Sequence, residues 1–209
     1  VQQVSGGDGL DEVLLSTSSG TTLLLDGVEF VVGGSGSDRL TVTDGTSVVI
    51  DGGLGNDTLV GSDGDDTLIG GGGADRMHGE NGDDFIIGGN GDVIFANAGD
   101  DLIELDGLPD GAFIDGGTGI DTLDLSRLST GANINLSDGV VDVSGLVSQF
   151  TEVEVIVGSS HSDTIQGTSL SDTLMIPQPG RISLPMSFLV SIFVITSVSY
   201  THLTLPTKA

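Results

Sequence analysis

The 209-residue chain sets 31 Asp and Glu against 5 Lys and Arg, a formal charge of -26, and has 35 Gly, no Cys and no Trp. A basic nucleic-acid surface is excluded, because neutralising phosphates takes Lys and Arg, and so are disulfides and cysteine zinc sites. Glycine costs about 1 kcal/mol per helix position and Asp favours caps and turns, which argues against a helical bundle, while 37% hydrophobic residues argue against plain disorder.

The acid is 25 Asp and only 6 Glu. The chain opens at Val1 with no basic start, apolar run or cleavage site, and reads as a piece cut from a longer protein. Residues 1–50 are expected to be a flanking β segment holding two isolated nonapeptides, GGDGLDEVL at 6–14 and GGSGSDRLT at 33–41. From 51 to 104 the nonapeptides become contiguous: GGLGNDTLV, GSDGDDTLI, GGGGADRMH, GENGDDFII, the shortened GGNGDVIF, then ANAGDDLIE. Asp occupies the sixth place at Asp57, Asp66, Asp75 and Asp84, then at Asp92 and Asp101 after one residue is lost. The aliphatic at the eighth place, Leu59, Leu68, Met77, Ile86, Ile94 and Ile103, slips by the same single residue, so one deletion explains both series.

Residues 105–176 are expected to continue the solenoid irregularly, with GGTGIDTLD at 116–124 and two weaker copies at 158–166 and 167–175, where His161 and Leu170 replace the fourth-place Gly. From Pro177 the Gly/Asp character stops. The apolar stretch 188–198 is too short for a membrane span, which needs roughly 20 residues. The end, VSYTHLTLPTKA, resembles a translated sequencing adapter, so 177–209 reads as a non-native, disordered tail.

These nonapeptides resemble the RTX (repeats-in-toxin) motif G-G-x-G-x-D-x-U-x, a calcium-binding β-helix repeat. The resemblance is strongest over 52–104 and reaches, in scattered copies, across 6–175. It implies an all-β, right-handed parallel β-roll with Ca²⁺ in its turns, type I secretion from a bacterium, and a secreted, extracellular or cell-surface location.

The residues support the same arrangement. Three Gly in six places allow a tight turn, and the next three residues make a minimal strand. Two copies make one coil, so residues eighteen apart stack about 4.8 Å apart. Asp57, Asp75 and Asp92 then share one edge, Asp66, Asp84 and Asp101 the other, and Leu59, Met77 and Ile94 face Leu68, Ile86 and Ile103 across the interior. Carboxylates that close repel by roughly 1 kcal/mol in water and about 3.5 kcal/mol at an effective dielectric of 20. One buried aliphatic per strand, about 1.5–3 kcal/mol, does not offset this together with backbone ordering.

A cation must close the gap. Ca²⁺ takes 6–8 oxygens in flexible geometry, whereas Mg²⁺ demands a tight octahedron and zinc or copper favours His and Cys. The candidate ligands are Asp57, Asp66, Asp75, Asp84, Asp92 and Asp101 with Gly53, Gly55, Gly64, Gly71, Gly73, Gly82, Gly89, Gly91 and Gly99, in four intervals between same-edge turns. Asp63, Asp65, Asp83 and Asp100 add to the local field. Asp11, Asp38 and Asp121 sit in good motifs with no intact stacked neighbour nine or eighteen residues away, and Asp163 and Asp172 sit in weak ones. His78 is expected to point outward, and His161 to mark a degenerate turn.

Ile69, Phe85, Ile87 and Leu102 share one outer face, expected to be covered by 105–157 or to dock an adjacent domain or sister roll. No catalytic motif is visible, so the chain reads as a non-enzymatic module that folds on calcium and supports secretion and scaffolding of a larger protein. The alternatives are the C-terminal module of a secreted protease, lipase or mannuronan epimerase, and the repeat region of an adhesin.

Overall fold

The structure is a computed structural model and describes residues 1–107, 109–166, 173–175 and 193–195. Its unit is the short triplet. In Thr58–Val60 and Thr67–Ile69 the central Leu is buried and its neighbours face outward, the two-residue period of a strand. A lone triplet has too little buried surface to persist, so each is held by parallel pairing to the coils on either side. Leu59 lies between Leu40 and Met77, and Leu68 between Ile50 and Ile86.

Two stacked sheets result, and no helix occurs among the described residues. The first runs through Gln2–Ser5, Thr22–Asp26, Arg39–Val42, Thr58–Val60, Arg76–Asn81, Val93–Ala98 and Phe113–Thr118. The second runs through Glu12–Leu14, Phe30–Val32, Val49–Asp51, Thr67–Ile69, Phe85–Gly88, Leu102–Leu105, Thr122–Asp124 and Val155–Val157. The chain alternates between them, making the parallel β-roll expected from the repeat. Between the sheets lies a thin aliphatic core. Leu40, Leu59, Met77, Ile94 and Ile114 meet Ile50, Leu68, Ile86, Ile103 and Leu123, and none is more than 1% exposed.

Three features depart from the expected regular stack. The coils beside the contiguous block join it directly: Arg39–Val42 pairs with Thr58–Val60 although the step is longer than eighteen residues, because loops outside the triplets absorb the excess. The 105–157 segment does not cover the Ile69/Phe85/Ile87/Leu102 face. It extends the stack, pairing Phe113 with Val93 and Thr122 with Leu102, since its own triplets alternate in and out and find open hydrogen-bonding groups at the end of each sheet. Finally, Asn133–Asn135, Val140–Val143 and Leu146–Thr151 form an antiparallel meander inside the first sheet, turned by Gly139 and by Ser144–Gly145 at positive φ.

Beyond Val155–Val157 the second sheet continues through Thr173–Met175 and Phe193–Ile195. Asp172 and most of the 177–209 tail lie outside the described residues. Among those described, no helix is long and apolar enough to cross a membrane.

Candidate metal centre

Every sixth-place Asp immediately precedes a triplet, so the strand pairing that stacks triplets also stacks the acids. On the first edge the backbone N–H of Asp38 donates to Asp57 Oδ1 at 2.7 Å, that of Asp57 to Asp75 Oδ1 at 2.7 Å, and that of Asp75 to Asp92 Oδ1 at 2.8 Å. On the second, Asp66 donates to Asp84 Oδ1 and Asp84 to Asp101 Oδ1, both at 2.8 Å, and Asp101 to Asp121 Oδ1 at 2.9 Å. The carbonyl of each Asp accepts the first strand N–H of the next coil, as Asp57 does from Arg76 at 2.8 Å. Each acid is therefore fixed at the backbone from two sides.

The step along these files varies between 17 and 20 residues. Asp38 and Asp121, which an eighteen-residue register leaves unpartnered, belong to the files. The single deletion at 88–92 does not break them either. Asp11 pairs with Glu29, whose Oε2 accepts its N–H at 2.8 Å. Asp163 stands apart from both files; its Oδ1 accepts from Ala132 N–H and from the Ser159 hydroxyl. His78 lies on the outer face as expected, half-buried and stacked on Phe95 with ring centroids 5.0 Å apart. His161 is exposed.

The second carboxylate oxygen marks the site. Oδ2 of Asp57, Asp75, Asp84, Asp101 and Asp121 is buried without a hydrogen-bond donor. Oδ2 of Asp38, Asp66 and Asp92 accepts instead from the N–H of Gly34, Ser62 and Gly89 in its own turn. The first-place glycines show what shares the space. A Cβ on Gly52 would lie 2.6 Å from Asp57 Oδ2 and 2.7 Å from the Gly70 carbonyl oxygen of the next coil, and Gly61 and Gly79 have equivalent neighbours. The intervals at Gly52, Gly61 and Gly79 thus gather a carboxylate oxygen and the next coil's carbonyl at a place only glycine leaves open, whereas Ala96 holds the first place of the 96–104 copy.

The other glycines of the motif act through conformation. Gly53, Gly55, Gly71, Gly73, Gly82, Gly91 and Gly99 have positive φ. Gly64 and Gly89, expected to serve alike, do not; Gly64 is required by the Ser47 backbone nitrogen, which a Cβ would meet at 2.8 Å.

Burial pushes the carboxyls of Asp57, Asp66, Asp92 and Asp121 above their ordinary range. Desolvation, reinforced by the neighbouring acids of the same file, pushes Asp75 and Asp101 up to about 6 and Asp84 to about 8. Buried carboxylates facing one another without a counter-charge are the signature of a site built for a cation.

The donor set is all oxygen. No three His, Cys, Asp or Glu side chains converge among the described residues, because the files supply one carboxylate per coil. The remaining ligands of any ion held there have to be backbone carbonyls or water, an all-oxygen set that suits Ca²⁺ and not zinc or copper. When bound, such an ion supplies the positive charge that the files lack.

Two features escaped the repeat count. Asp65 Oδ1 accepts from Asp83 N–H at 2.9 Å, and Asp83 Oδ1 from Asp100 N–H at 2.8 Å, so the second edge carries an exposed outer file beside the buried one. Glu29 and Glu154 take the sixth place without the rest of the motif. Their signal is position alone, one residue ahead of a triplet with a buried centre, Val31 or Ile156.

Stacked turns with buried, donor-less carboxylate oxygens on a parallel roll define a calcium-binding β-roll module. Residues 25–46, 51–86 and 78–111 match the family model of the RTX calcium-binding nonapeptide repeat, hemolysin type, in four copies. Over those residues the chain is similar to this calcium-binding repeat family. No curated protein matches it.

Proposed function

We propose that this chain is a calcium-gated folding module of a secreted or cell-surface protein. It stays unfolded at cytosolic calcium, passes through a type I secretion system and folds outside the cell to scaffold its parent protein. The role is structural and ligand-driven rather than catalytic. The observation that carries the reading is the set of buried Oδ2 atoms without donors along both files.

Six intervals have the required donors: Asp38/Asp57, Asp57/Asp75 and Asp75/Asp92 on one edge, and Asp66/Asp84, Asp84/Asp101 and Asp101/Asp121 on the other. Each would combine two file carboxylates with backbone carbonyls, mostly of glycine and, between Asp84 and Asp101, of Ala96. At a Kd of about 10⁻⁴ M and calcium of about 10⁻³–10⁻² M, one site contributes roughly 1.4–2.7 kcal/mol. Several sites reach the stability of a small domain. At cytosolic calcium this contribution vanishes, which makes the fold conditional on the compartment.

Circular dichroism with calcium and with a chelator tests the switch. The β signal is expected to appear with calcium and collapse with the chelator; a β signal indifferent to both removes the proposal.

A further inference from the structure

The second file ends on a different kind of residue. Asp121 is 0% exposed, and its N–H donates to Glu154 Oε2 at 2.9 Å. Its Oδ2 is buried without a donor. A Cβ on Gly116 would lie 2.8 Å from Asp121 Oδ2 and would collide with the Glu152 carbonyl oxygen. This is the arrangement at Gly52, with Glu152 in the place of the next coil's glycine. The turn itself is unlike a nonapeptide: only Glu152, Val153 and Glu154 separate Leu146–Thr151 from Val155–Val157. Glu152 adopts φ 51, which is how its carbonyl comes to lie against Gly116.

The same device recurs near the start of the chain. Gly27 (φ 61), the buried Val28 and Glu29 separate Thr22–Asp26 from Phe30–Val32. Glu29 Oε2 accepts from Asp11 N–H, Asp11 Oδ2 is buried without a donor, and a Cβ on Gly6 would lie 2.7 Å from that oxygen and collide with the Gly27 carbonyl. Two unrelated stretches, DGVEF and TEVEV, thus present the same oxygens to a neighbouring motif Asp. A three-residue turn drops three of the four places between the first and the sixth, and the extra methylene of Glu lets its carboxylate still reach the file.

We infer that Asp121, Glu154 and the Glu152 carbonyl form a further calcium site, and that Asp11, Glu29 and the Gly27 carbonyl form its counterpart. Both are mixed Asp/Glu half-turn sites, and the first lies beyond the matched repeats. The inference rests on the calcium reading above. The repeat motif supplies the Asp, and the short turn supplies a hard acid and a turned-in carbonyl in place of a second motif.

The test compares calcium stoichiometry in the intact chain and in Glu154→Gln, which keeps an oxygen for the Asp121 N–H and removes the charge. Calorimetry is expected to count one ion fewer in the variant, with the β signal intact at saturating calcium. An unchanged count and affinity overturns the site while leaving the central files standing; a wild-type chain that binds no calcium overturns both readings. Crystals of the unmodified chain grown with terbium give a second measurement that needs no variant to fold. An anomalous peak beside Asp121 and Glu154 supports the site, and peaks along the files with none there overturn it.

Discussion

Asp84 and Asp101 are joined at the backbone and opposed at the side chain: the N–H of the first donates to Oδ1 of the second at 2.8 Å, while both Oδ2 atoms are buried without a donor. The parallel pairing that builds the roll cannot form without creating this conflict. The conflict is what makes the fold depend on a ligand.

Asp84→Asn should therefore act in opposite directions under two conditions. With calcium it removes an anionic ligand shared by the Asp66/Asp84 and Asp84/Asp101 intervals and is expected to lower stability by up to two sites' worth, roughly 3–5 kcal/mol. With a chelator it removes a buried charge and should raise whatever residual β structure the chain has. Urea titrations followed by circular dichroism, with and without calcium, check both signs; loss of stability in both conditions would contradict the account.

The pH dependence without calcium follows from the raised carboxyls. Desolvation lifts Asp75 and Asp101 to about 6 and Asp84 to about 8. A group whose folded value lies above its unfolded one stabilises the fold fully below the unfolded value, and that stabilisation is lost as pH rises through the folded one. The calcium-free roll should be most structured at or below about pH 4 and lose structure as pH rises from about 4 to 8, most steeply below 6 where all three groups contribute. In saturating calcium the slope should reverse, because ligation needs the deprotonated acid. A calcium-free β signal that peaks at pH 8 would sink this.

Gly73→Ala should be among the most damaging exposed substitutions. Gly73 has φ 148, and a Cβ there would run into the Gly55 carbonyl oxygen. The expected loss is more than 1 kcal/mol, read as a higher calcium midpoint for folding. Gly45→Ala serves as the control, since its Cβ would meet only Asp63 Cβ at 3.6 Å, and its midpoint should barely move.

Leu68→Ala should cost about 2–5 kcal/mol in saturating calcium, by thermal or urea unfolding. Each sheet contributes a single row of side chains to the core, and Leu68 is wholly buried between Ile50 and Ile86, so little can move in to fill the cavity.

The central roll is legible in sequence because the two series, Asp and aliphatic, shift together at the 88–92 deletion, which ties register to structure. The long steps were not legible. Asp38 lies 19 residues before Asp57 and Asp121 lies 20 after Asp101, and a fixed eighteen-residue rule discards both. Pairing is decided by the triplets, and loops such as 43–48 and 106–112 absorb the difference at little cost. Glu29 and Glu154 were hidden for another reason: a three-residue turn needs none of the glycines by which the motif is recognised. The meander at 133–151 was also unannounced, since its short alternating strands read equally well as further parallel rungs.

That meander lengthens one sheet only. Between Phe113–Thr118 and Thr164–Gln166 the first sheet holds three strands, while between Thr122–Asp124 and Thr173–Met175 the second holds one. Two surplus strands at about 4.8 Å each give a mismatch of roughly 10 Å between the two sides. A ribbon longer along one border than the other has to curve toward the shorter. The coil of Thr164–Gln166 and Thr173–Met175 is therefore expected to tilt against the regular stack that ends near residue 118.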